Sequence, residues 1–137
     1  MNQPAANGGN YVCVYNKTRE TFVATHAAVA DGYFSRLVGL LGTTRRWARP
    51  GKGLWIVPSH GVHTIGMLYS LDLIFLDRKY VVVDVAEHVR PFRISKVSLK
   101  VGSVLELPVK TVVRTQTQVG DQLDISRVSA HVPAVST

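Results

Sequence analysis

Thiols are nearly missing from this chain. Its 137 residues include one cysteine, Cys13, which excludes an intramolecular disulfide framework and any zinc site built from several thiolates. Long apolar runs are missing too. None approaches the roughly 18–20 residues that cross a bilayer as a helix, so no membrane span is expected. Met1 to Asn10 is polar and lacks the basic and apolar regions of a signal peptide, and the expected location is cytoplasmic. Charge is sparse at 18%, against 46% apolar residues, the reverse of a disordered composition. No Gly-x-Ser-x-Gly elbow, His-Glu-x-x-His pair or phosphate-cradling glycine loop occurs. No complete catalytic set can be read from the residues.

What is present is grease and positive charge. Sixteen Lys and Arg outnumber nine Asp and Glu. The excess sits in two stretches. Residues 36–55 hold Arg36, Arg45, Arg46, Arg49 and Lys52 with no acid, and residues 78–100 hold six bases against Asp84 and Glu87. Such stretches attract anions and nucleic acid. They lie in no recognisable nucleic-acid motif, so solubility charge is the expected role and an anion or nucleic-acid surface the alternative.

Alternation and turn residues predict a mainly β domain of about seven short strands with one or two short helices, folded as a compact sandwich or barrel. A flexible leader (1–10), one domain (11–128) and a frayed tail (129–137) are expected. Tyr11–Tyr15 and Thr21–Ala30 read as a hairpin. Asp31 is a candidate N-cap for a helix whose apolar face is Phe34, Leu37, Val38 and Leu41. Gly53–Val57 reads as a strand stopped by Pro58, and 61–68 as extended chain. Leu71–Leu76 and Tyr80–Ala86 flank an Asp77-Arg78-Lys79 turn. Ser103–Leu107 and the run from Gly120 to Val128 close the set, with Lys110–Gln118 ambiguous between helix and strand.

One stretch combines unusual residue types: His60, His63, Thr64 and Met67, followed by Asp72 between two leucines. Imidazole with thioether is a copper-type ligand set. Strand alternation places His63 and Met67 on one face and His60 on the other, so a metal is not expected. His63 is read as a hydrogen-bonded interior residue and Met67 as core filling, and no cofactor is expected. Asp72 is either a turn or cap residue or a desolvated functional acid, with Arg36 as its candidate counter-ion. Glu106 alternates with Leu105 and Leu107, which predicts a solvated strand face. Gly120-Asp121 reads as a turn and Cys13 as an inert thiol. Trp47, among arginines, suits either stacking on a base or packing on the core.

Ser35-Arg36-Leu37-Val38-Gly39-Leu40-Leu41-Gly42, then Gly53-Leu54-Trp55-Ile56, His60-Gly61-Val62-His63-Thr64-Ile65-Gly66-Met67, Leu71–Asp77, Val104–Pro108 and Val119-Gly120-Asp121 follow in one order and spacing. Together they resemble the bacterial and archaeal family known as domain of unknown function 192, over roughly residues 20–127. The resemblance implies a compact β domain and no established reaction. Some relatives are exported or lie near secretion and pilus-assembly functions, which implies accessory roles.

These readings converge on a non-enzymatic binding module. A concave face near Arg36, Trp55, His60, His63, Thr64, Met67 and Asp72 is expected to hold a small ligand or a protein segment. The enzymatic alternative is a hydrolase-like or metal-assisted site using His63 with Asp72. The third reading places anions or nucleic acid on the basic patch of Arg45, Arg46, Arg49 and Lys52.

Overall fold

A computed structural model of the chain describes residues 10–30, 49–59, 70–90 and 98–128. They form seven strands and one short helix: β1 (Tyr11–Asn16), β2 (Thr21–Ala30), β3 (Lys52–Ile56), β4 (Leu71–Leu76), β5 (Val82–Val89), β6 (Ser103–Pro108), α1 (Thr111–Thr115) and β7 (Leu123–Val128). The strands make one sheet in the order β5-β4-β6-β3-β2-β1-β7. The expected mainly β class is what the chain adopts. The helix expected at 31–42 and the extended chain expected at 61–68 lie outside the described residues.

The sheet curls around one core. Val12, Val14, Val23, Trp55, Ile74, Val82, Leu105 and Leu123 belong to a single buried cluster that draws on every strand, and Val112 of α1 joins it. The opposite face buries a second cluster, centred on Leu54, Leu73, Phe75 and Val104. Strands buried on both faces read as continuous apolar runs, which explains why all six residues of β4 and all six of β6 are buried. It also corrects the reading of Glu106. The residue lies on the central strand β6, level with Leu54 of β3 and Leu73 of β4, and is 2% exposed. Alternation found the right face, but that face is not solvated.

Curling brings the two edge strands together at one point. Val81 and Gln122 form an antiparallel bridge, supported by Val82 N–H on the Asp121 carbonyl and Leu123 N–H on the Tyr80 carbonyl, both at 2.9 Å. From there β5 and β7 diverge, so the barrel stays open. Strand directions impose a further consequence. β2 and β3 are parallel. β3 and β4 both run antiparallel to β6, and β5 and β6 both run antiparallel to β4. The connections after β2, β3 and β5 therefore join opposite ends of the sheet.

A buried polar knot fixes the β1–β2 turn to the start of β7. Asp121, 2% exposed, accepts on Oδ2 from Asn16 Nδ2 (2.9 Å), Arg19 Nε (3.1 Å) and the Gln118 N–H (2.9 Å). Asn16 also donates to Thr117 Oγ1, and its own Oδ1 accepts the Arg19 N–H. Burial pushes the Asp121 carboxyl upward. The Asn16 and Arg19 hydrogen bonds, the Gln118 N–H and the Arg19 charge together outweigh burial and hold it below the usual carboxylate range. A carboxyl lowered by folding stabilises the protein above its unfolded pKa of about 3.9, and that stabilisation is lost as pH falls through the folded value. Asp121→Ala should cost about 2–4 kcal/mol at pH 7 in urea denaturation. The gap from the parent should shrink steadily as pH falls from 5 towards the acid limit. A gap independent of pH would remove the charged-knot account.

Candidate functional site

One end of the barrel combines an aromatic pair, a cavity and two buried polar atoms. Trp55 of β3 pairs with Leu105 of β6, and alternation places Ser103, two residues earlier on β6, on the same interior face. Trp55 is 8% exposed and meets Tyr80 edge-on, with ring centroids 5.6 Å apart at 80°. Tyr80 ends the β4–β5 turn with positive φ (66°) and is held by its N–H on the Asp77 carbonyl. A cavity of about 200 Å3 adjoins this pair, lined among the described residues by Val57, Pro58, Asp77, Arg78, Tyr80, Gly102 and Ser103. Trp55 Nε1 and Ser103 Oγ are both fully buried without a hydrogen-bond partner. An indole N–H can only donate, and each buried orphan of this kind costs about 1–3 kcal/mol.

Asp72 shares the interior face with Trp55 but is engaged differently. It pairs with Leu107 on β6 and is 1% exposed. Leu71 pairs with Val89 and Leu73 with Ala86, so Asp72 stands opposite two residues, Glu87 and His88, at a β-bulge. Its Oδ1 accepts the N–H of His88 (2.8 Å) and its Oδ2 that of Val112 in the first turn of α1 (2.9 Å). Lys110, at the helix N-cap position, provides no side-chain cap, and Asp72 supplies that acceptor from 40 residues away. Of the two roles the sequence allowed Asp72, the cap is the one these contacts supply.

Arg49 and Lys52 are exposed beside the start of β3. Arg36, Arg45, Arg46, Trp47, His60, His63, Thr64 and Met67 lie outside the described residues. Among the described residues, no group of three His, Cys, Asp or Glu side chains could hold a metal. Cys13 is partly exposed, and burial, with the nearby Asp124 charge, pushes its thiol up and keeps it protonated. Sequence reasoning missed Ser103 and Tyr80. Ser103 was within reach, because alternation with Leu105 and Leu107 already put its hydroxyl on an apolar face. A second hollow of about 420 Å3 lies between β5 and α1, lined by Glu87, Val112, Val113, Gln116, Thr117 and Gln118. None of these has a buried side-chain atom without a partner.

The sequence model of the family described as Uncharacterized ACR, domain of unknown function 192, matches residues 14–125. The chain belongs to this family. A UPF0127 protein of Thermococcus sibiricus is 30% identical over 115 residues, covering 80% of this chain and 71% of that protein. Two crystal structures share the fold. One, from Sinorhizobium meliloti 1021 and provisionally described as a transcription regulator, superposes with a TM-score of 0.67 at 22% identity, covering 84% of this chain and 92% of its own. The other is a protein of unknown function from Novosphingobium aromaticivorans, with a TM-score of 0.65 at 16% identity and coverages of 90% and 91%. The family is uncharacterised, and these likenesses establish the fold. No helix among the described residues is long and apolar enough to cross a membrane.

Two substitutions separate the structural acid from the candidate site. Asp72→Asn places an amide N–H2 against one of two backbone donors and should cost about 2 kcal/mol in urea denaturation. Ser103→Ala removes a buried hydroxyl that has no partner, so the unliganded protein should be unchanged or up to about 1 kcal/mol more stable. A clear loss of stability in Ser103→Ala would mean that the hydroxyl serves the fold.

Proposed function

We propose that this chain is a non-enzymatic binding module that seats a small molecule at the end of its barrel. The walls are Val57, Pro58 and Tyr80, with Trp55 behind them, and Ser103 provides the buried hydrogen-bonding group. One observation carries the reading: Ser103 Oγ, a buried polar atom without a partner, belongs to a residue that lines the cavity, and a second such atom, Trp55 Nε1, lies on the same interior face behind Tyr80. Small-molecule sites are mostly apolar hollows with a few convergent polar groups, and this end of the barrel has that composition. The engagement of Asp72 supports a binding role over acid–base chemistry with His63, since proton transfer at Asp72 would disturb the N–H bonds that hold the β5 bulge and α1. His60 and His63 follow Pro58 by two and five residues in the chain, and we keep them as candidate contributors.

Trp47 and Trp55 are the two tryptophans, so Trp47→Phe leaves an emission spectrum that reports on Trp55 alone. Titrating this variant with a set of small acids, amides, alcohols and amines should give saturable shifts for a subset. Ser103→Ala should weaken those that bind by about tenfold, the equivalent of one buried hydrogen bond. A set that leaves the emission unmoved throughout removes the reading.

A further inference from the structure

The cavity's wall also carries information about the charge of its occupant. Arg78 is exposed and forms no ion pair among the described residues, where the one salt bridge joins Arg19 to Asp121. Asp77, the acid in the lining, turns Oδ1 towards the hairpin and accepts the N–H groups of Lys79 (2.8 Å) and Val81 (3.0 Å). Exposed Lys79 follows Arg78, and exposed Lys100 lies two residues before Gly102. In the lining itself one base, Arg78, stands beside one acid, Asp77, whose Oδ1 is already engaged by two backbone N–H groups, and Arg78 is the lining charge left open to an anion.

Gly102 sets the geometry of that wall. A Cβ there would lie 3.0 Å from Arg78 Cγ and 3.3 Å from Arg78 N. A side chain at 102 would push the Arg78 stem away from the start of β6. With glycine, the Arg78 stem lies against the backbone next to Ser103, and both residues line the cavity. Val57, Pro58 and Tyr80 supply apolar surface around them. At about 200 Å3 the space exceeds the roughly 150 Å3 that admits benzene in an engineered core.

We infer that the ligand is a small monocarboxylate with an apolar body of about the size of benzoate, its carboxylate held between Arg78 and the Ser103 hydroxyl. This rests on the binding reading above and adds the chemical class of the occupant. Benzoate, benzamide and benzylamine share a ring and differ in charge, which makes them the probes. With the Trp47→Phe protein, benzoate should bind about tenfold or more tighter than benzamide, and benzylamine should bind weakest. Added salt should weaken benzoate and leave benzamide unchanged. Arg78→Gln should lower benzoate affinity to that of benzamide, and Arg78→Lys should restore part of it. Arg78 is exposed, so an unchanged melting temperature will show that both variants fold. If benzamide or benzylamine binds as well as benzoate, or if Arg78→Gln changes nothing, the carboxylate assignment is wrong while the cavity reading stands. If all three probes leave Trp55 unmoved while other fragments shift it, the assignment again fails alone. Silence across every fragment overturns both.

Discussion

The curl of this sheet depends on where one carboxylate sends its two oxygens. Asp72 projects from β4 into the interior and ties the bulged His88 N–H of β5 to the first turn of α1. The bulge increases the local twist of the edge strand. The tie to Val112 fixes the segment that then runs through Gln116 and Thr117 to the bridge at Gln122. Without an acceptor at position 72, the Val112 N–H would be buried unpaired, at about 1–3 kcal/mol, and the part-buried His88 N–H would lose its partner as well. A leucine there would complete an apolar strand and lose the tie between β4, the β5 bulge and α1.

Asp121 plays the complementary part at the other strand edge. It binds the β1–β2 turn through Asn16 and Arg19 and the approach to β7 through Gln118. Both acids therefore act on segments about 100 or 40 residues away in sequence, and both replace interactions that local chemistry would have provided. Lys110 cannot cap α1, and Gly120, at φ 96°, turns the chain without supplying a side chain. The long-range acceptors do what the turns themselves lack.

This pattern explains how far the residues alone could be read. Alternation and turn residues are local signals, and they located β1, β2, β4 and the Asp77 hairpin closely. Asp77 bonds Lys79 and Val81 within four residues of itself. Lys110–Gln118 stayed ambiguous because β-branched Thr111, Val112, Val113 and Thr115 disfavour a helix intrinsically. What holds them helical is the remote Asp72 together with Thr115 bonding back to the Thr111 carbonyl. For Glu106, alternation gives the face and not its solvation, and that face is buried with the second cluster around Leu54, Leu73, Phe75 and Val104. The clustering of histidine, methionine and Asp72 in sequence drew attention to that stretch. Ser103 and Tyr80 lie 23 residues apart in sequence but line one cavity, a proximity that no local pattern encodes.

The barrel's end contrasts with other buried polar residues of the described interior. Asn16, Asp72, Thr111, Thr115, Thr117 and Asp121 are all buried, and all have hydrogen-bond partners. These six described residues satisfy their buried polarity within the fold. Trp55 Nε1 and Ser103 Oγ differ from them in having no partner, and neither polar atom is needed for packing: phenylalanine would give the ring contact with Tyr80, and valine suits a strand end beside Leu105 better than serine does. Keeping these two unsatisfied groups lowers stability unless something returns their hydrogen bonds. A molecule that enters the cavity and bonds the Ser103 hydroxyl in its lining converts that group's desolvation cost into affinity, because the protein has already stripped it of water before the ligand arrives.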